Sequence, residues 1–182
     1  MVEQEFQKKV RELIDGLKSV CANYGLSGDG NEYKIITQVF LYKFLNDKFA
    51  FEIKKADPNL AGDESWETAF AKKNGDEVKL LQFQTGPDIA NLEHKHLITT
   101  LYERQNEPEF SELFDDTLID IANKNIDVFS VKTSGGEKDR LFDRLSQFIT
   151  DRGDRNAFCK AVINRLVGFS FENIFHQKFD FY

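Results

Sequence analysis

The sequence is poor in residues that interrupt or cross-link a chain. Only three prolines occur in 182 residues, at positions 58, 87 and 108, so helices can run long without the lost hydrogen bond and ring clash that proline brings. Two cysteines, Cys21 and Cys159, are too few for a small domain built on disulfides. Each sits on a helical apolar pattern, so reduced core residues are expected. No apolar run approaches the roughly 20 residues that span a bilayer, and no charged-then-apolar leader opens the chain. The expectation is a soluble, cytoplasmic protein with no membrane partner. Basic residues are also in deficit: 24 Lys and Arg face 31 Asp and Glu, a net charge of −7. That balance argues against wholesale nucleic-acid binding, whose footprint is basic.

Phenylalanine is what the chain has in excess, eighteen in all. Such a content points to a large aromatic core in one domain spanning residues 1–182, which can bury roughly 70% of its unfolded surface. The stretch 31–53 concentrates this character. Tyr33, Ile36, Phe40 and Phe44 fall on one side of a 3.6-residue helix, and Ile35, Val39, Tyr42 and Phe49 fall on the other. A helix apolar on both sides is predicted to be buried by neighbours on both sides. Asp29 with Glu32 three residues later reads as a capping box at its start.

Around this stretch the pattern stays helical. Phe6, Val10, Leu13, Leu17, Val20 and Tyr24 recur at three and four, predicting a first helix over 3–24 that Gly25 ends. The Gly-rich turn that follows suggests an antiparallel helical hairpin. Pro58 stops the central helix. Between 59 and 88 the signals are weak: Trp66 and Phe70 lie one turn apart, Asn74-Gly75 marks a turn, and 78–83 fits strand or helix. Residues 89–105 read as helix, and Phe110, Leu113, Phe114, Leu118, Ile121 and Ala122 make the clearest ladder. A short extended segment is expected at 126–131, a loop at 134–136 and a helix over 139–149. A last helix follows, with Asp154 as N-cap, Phe158, Ala161, Val162 and Leu166 as buried face, and Gly168 as stop. The fold class is mainly α: a single-domain helical bundle of six to eight helices with irregular connections.

Glu32-Tyr33-Lys34, the run Phe40-Leu41-Tyr42-Lys43-Phe44-Leu45, and Asp47-Lys48-Phe49 together carry a resemblance. The stretch resembles the N-terminal helical domain of type I restriction-modification M subunits, which are DNA adenine-N6 methyltransferases. Asn46 stands where many members have Ser. The likeness covers 29–49 closely and 109–175 diffusely. It implies a non-catalytic domain that helps clamp DNA and assemble the enzyme, with the specificity and restriction subunits and double-stranded DNA as partners. S-adenosylmethionine would be the cofactor of the full-length subunit, with none in this chain. Adenine methylation needs a glycine-rich turn after a strand and an Asn/Asp-Pro-Pro-aromatic motif. No two prolines are adjacent, and the glycine pairs lie in turns, so no catalytic or cofactor-binding residue is assigned. Two other classes remain open: a stand-alone helical protein-protein adaptor, and an acidic anti-restriction DNA mimic.

Charge is unevenly spread. Residues 107–127 carry seven acids and one base, while 137–168 carry seven bases and five acids. Within the second stretch Arg140, Arg144, Arg152, Arg155, Lys160 and Arg165 are candidate DNA-backbone contacts, weighed against a surface balanced by Asp139, Asp143, Asp151 and Asp154. His94 and His96 lie two apart, and no third ligand stands at metal-site spacing, so exposed or partly buried histidines are expected and no metal site is assigned. The tail is dense in aromatics, and Phe175, Phe179, Phe181 and Tyr182 are candidates for an interdomain seam.

Overall fold

The computed structural model describes residues 2–129, 131–132 and 138–177. The fold is mainly α. α1 (Val2–Asn23) and α2 (Gly30–Ala56) form the expected hairpin. Gly25 turns into the left-handed region at φ 80°, and Leu26 N–H donates to the Cys21 carbonyl at 2.9 Å. This is the bond that closes a helix end when glycine follows it. The start of α2 uses the expected residues in a shifted pairing. Asp29 accepts from Asn31 N–H and Glu32 accepts from Gly28 N–H.

The weakly patterned stretch is helical. A 3-10 turn at Pro58–Ala61 leads to α3 (Trp66–Ala71) and α4 (Gly75–Thr85). Asn74 accepts from the Asp76 and Glu77 N–H groups while Glu77 accepts from Asn74 N–H. That complete capping box decides for helix over strand at 78–83.

Two predicted helices are corrected. The 89–105 helix shrinks to α5 (Ile98–Glu103), preceded by a 3-10 turn at His94–His96. Asn125 takes the backbone of Asn91 on both sides, accepting from its N–H at 2.7 Å and donating to its carbonyl at 3.1 Å. Extended chain there satisfies its polar groups on a neighbour, so no helical turn is needed. The 139–149 helix is likewise replaced by a 3-10 turn at Leu145–Phe148. Asp143 N–H donates to Gln38 of α2, which places Phe142 and Leu145 in the core.

α6 (Phe110–Lys124) follows its ladder, and α7 (Ile126–Phe129) occupies most of the segment expected to be extended. β1 (Val131–Lys132) and β2 (Lys138–Asp139) pair antiparallel, while the 134–136 loop lies outside the described residues. α8 (Arg155–Val167) starts after Asp154, whose side chain makes no capping bond. α9 (Glu172–Gln177) closes the described chain. Among the described residues no helix is long and apolar enough to cross a membrane.

α2 and α8 share the centre. α8 packs on α1, α5 and α6, while α2 packs on α1, α4 and α9 as well as on α8. Ile35, Val39, Tyr42, Phe49 and Ile53 of α2 are fully enclosed. Each such side chain contributes roughly 1.5–3 kcal/mol by leaving water. Cys21 and Cys159 are buried free thiols.

Candidate functional site

The most elaborate polar arrangement surrounds His96, which is 1% exposed. Its Nδ1 accepts from Glu93 N–H at 2.9 Å, and its Nε2 donates to Asp120 of α6 at 2.6 Å. Its carbonyl accepts from the Tyr42 hydroxyl of α2. A backbone N–H aimed at Nδ1 requires a lone pair there, so the ring is neutral with its proton on Nε2. Burial pushes the imidazole pKa below its ordinary value despite the pull of Asp120. For Asp120 burial works upward, but hydrogen bonds from His96 and Lys95 prevail and hold it at about 2. Lys124 pairs with Glu93 and also approaches Asp120 at 3.7 Å.

Glu93, His96 and Asp120 thus converge, each offering one ligand atom within 4.8 Å of the others. Sequence spacing hid this, because Asp120 arrives from another helix. The arrangement does not fit a metal. Nε2 could ligate only by moving its proton to Nδ1, where Glu93 N–H already points. Ligation at Nδ1 would displace that same N–H, and Lys95 and Lys124 already neutralise both carboxylates. With both nitrogens committed, His96 is no general base either. The node is a lock joining the 93–97 turn to α6 and α2, and His96 is buried rather than exposed or partly buried.

Of the six candidate DNA contacts, the three on α8 do not share one face. Arg155, Lys160 and Arg165 recur every five residues, and about 100° per residue sends them to three sides of α8. Arg155 donates to the Ile149 carbonyl at 3.1 Å, Lys160 to Asn106 at 2.6 Å, and Arg144 pairs with Asp116 at 2.5 Å. Arg165 lies across Gly16 of α1, where a Cβ would stand 3.1 Å from its Cδ. Arg140 and Arg152 are exposed. Asp143, one of the expected balancing acids, binds Lys34 and Gln38 of α2 and also feels the charge of Arg140.

The acidic stretch is largely occupied. Glu107 pairs with Arg104 and Asp116 with Arg144. Asp115 is buried, accepting from the Ser146 hydroxyl at 2.5 Å and its N–H at 3.1 Å.

Between α1 and α2 a groove of about 530 Å³ opens to the surface. Ile14 and Lys18 form one wall, and Tyr33, Ile36, Thr37 and Phe40 the other. Tyr33 is 77% exposed, against the expectation that this side of α2 is covered. The cover reaches only part-way: Phe171 packs on Phe40 and Phe44, and Phe175 on Phe44. Nothing in the amphipathic pattern distinguishes Tyr33 from Phe44, because the covering residues lie more than 120 positions away.

No family model, curated protein or solved structure matches this chain.

Of the candidate seam residues, Phe175 is buried against Phe51 of α2 and therefore belongs to the core. Phe179, Phe181 and Tyr182 lie outside the described residues.

Proposed function

We propose that this chain is an assembly domain, the non-catalytic N-terminal domain of a type I restriction-modification M subunit. One observation carries the reading. The run through which the chain resembles that family is also the run that pins the fold. Tyr42 holds the 93–97 turn, Asn46 accepts from Ile98 N–H at 3.0 Å, and Asp47 accepts from Phe171 N–H at 2.9 Å. A stretch of six residues on α2 thereby positions two segments distant in sequence, 96–98 and the chain at Phe171. In the assembled enzyme the domain helps close around DNA while the catalytic part, with S-adenosylmethionine, methylates a flipped adenine. The specificity and restriction subunits are its partners.

DNA contact on this reading is electrostatic and sparse. Arg152 and Arg165 have no carboxylate within ion-pair distance among the described residues, and a salt slope of about −1 to −2 follows from one or two phosphates. The open groove favours a second reading, a stand-alone protein adaptor. Co-expression with the catalytic part of an M subunit and a specificity subunit tests both. The first reading expects co-purification, adenine-N6 methylation of duplex DNA, and no S-adenosylmethionine binding by this chain alone in calorimetry. Absence of a complex, or saturable cofactor binding by this chain, overturns it.

A further inference from the structure

The groove between α1 and α2 differs from the remaining exposed apolar surface in having shape and charge. Leu80 and Phe83 of α4 are 57% and 86% exposed and do not line this groove. Tyr33, Ile36 and Phe40 instead follow one another at spacings of three and four along α2 and line the groove, while Phe44 beyond them packs on Phe171 and Phe175. Seven residues at 1.5 Å each make a stripe of about 10 Å, or two helical turns. Its second wall is α1, so the groove runs between two helices joined as a hairpin. Such a groove accepts the side-chain ridge of a third helix. It offers no open sheet edge, which an extended peptide would need for main-chain pairing.

The rim specifies more. Lys18 on α1 has no carboxylate within ion-pair distance among the described residues. Across from it Asp29 and Glu32 accept only from backbone N–H groups and meet no cation. Around the neighbouring 57–73 segment, by contrast, Lys72 pairs with Glu64 and Lys73 with Asp57. An unpaired cation opposite two unpaired carboxylates, at one end of an apolar trough, is complementary to a segment bearing the reverse pair.

We propose that this groove docks an amphipathic helix of a partner protein. The helix carries an apolar stripe at i, i+3 or i+4, and i+7, ending in a basic residue toward Asp29 and Glu32 and an acidic residue toward Lys18. Tyr33 is the anchor, a large ring that loses little side-chain freedom on burial. The inference rests on the assembly reading only in requiring a partner protein, not in which protein that is.

The test is selection of displayed helix-forming peptides of about 16 residues, roughly 24 Å long, on the immobilised full chain, followed by anisotropy measurements on the selected peptides. Enrichment of the stated spacing and charges is expected. Tyr33→Glu should weaken binding at least roughly tenfold, equivalent to about 1.4 kcal/mol. Lys18→Glu should reverse the preference at the facing position from acidic to basic. Circular dichroism and melting establish that both variants are folded, their sites being exposed. Failure to enrich any helix, selected peptides without helical spacing, or binding indifferent to Tyr33→Glu overturns the proposal. So does a dimer of the chain, seen by light scattering, that Tyr33→Glu dissolves, since the groove's occupant is then a second copy. Peptide binding without co-purification of type I subunits defeats only the family reading. Co-purification without helix enrichment defeats only this inference.

Discussion

Helix α2 meets two surroundings along its length. From residue 42 to 53 it is closed over most of its circumference, with Tyr42, Lys43, Asn46, Asp47 and Phe49 all buried and Phe44 the large apolar side chain left 38% exposed. From 29 to 40 only part of its circumference is covered. Lys34 and Gln38 bind Asp143, and Ile35 and Val39 face the core, while Tyr33 stands in solvent. The composition of the halves is similar, and what differs is the fate of their polar groups. The closed half buries a charged pair, Lys43 with Asp47 at 3.0 Å, and satisfies it with further hydrogen bonds. The open half leaves Lys18, Asp29 and Glu32 in water. Burial of charge is costly unless every lone pair and proton is satisfied, so the closed half is committed to structure and the open half is free to bind.

The contrast breaks most visibly at Asp47. Asp47→Ala leaves the Lys43 ammonium buried without a counter-ion and Phe171 N–H without an acceptor. The expected cost is about 3–5 kcal/mol, read as a lowered midpoint in urea unfolding. Replacing Lys43 and Asp47 together by Met and Leu should recover most of that loss, because no orphaned charge remains. If the single substitution costs less than about 1 kcal/mol, as surface pairs do, the closed half is not the anchor described.

A smaller effect follows from the lock that Tyr42 helps hold. His96 is kept neutral, so its pKa in the folded protein lies below the roughly 6.5 of an unfolded histidine. As pH falls below that value the unfolded chain takes up the proton first. Stability should therefore drop by up to about 1.4 kcal/mol per pH unit until the folded pKa is reached, and be insensitive to this group well above the unfolded value of roughly 6.5. Asp120, held at about 2, adds its own loss only at more acid pH, below the ordinary carboxylate range. Urea midpoints between pH 7 and 5 measure the slope, and His96→Gln should flatten it even though that variant is less stable throughout. An unchanged slope in the variant would assign the acid sensitivity to other groups.

Tyr33→Ala should do least, shifting stability by no more than about 0.5 kcal/mol, as expected for an exposed side chain away from caps and core. A loss comparable to that at Asp47 would show that the open half is structural too, and would remove the contrast.

The fold was legible where a segment's own residues determine its state. The 3.6-residue ladder of α6, the glycine stop after α1 and the apolar run of α2 need no distant partner to be read. The Asn74–Glu77 capping box was equally local and marks α4 once the glutamate is paired with the asparagine. Residues 89–97 and 139–149 resisted the same reading. Their apolar spacing suits a helix, but Asn125 and Gln38 offer their backbones better hydrogen bonds than a helical turn would.

The candidate site divides in the same way. Reading along the chain is enough to see that α2 is apolar around its circumference, that cysteines and prolines constrain little, and that acid outweighs base. Contacts between distant segments are what bring His96 to Asp120 and leave Tyr33 uncovered, while the divergence of Arg155, Lys160 and Arg165 was already written in their five-residue spacing. Periodicity records which residues can be buried together. Burial itself is a property of elements brought in from far along the chain, here Phe171 and Phe175, which pack on Phe44 and leave it half as exposed as Tyr33, beyond their reach.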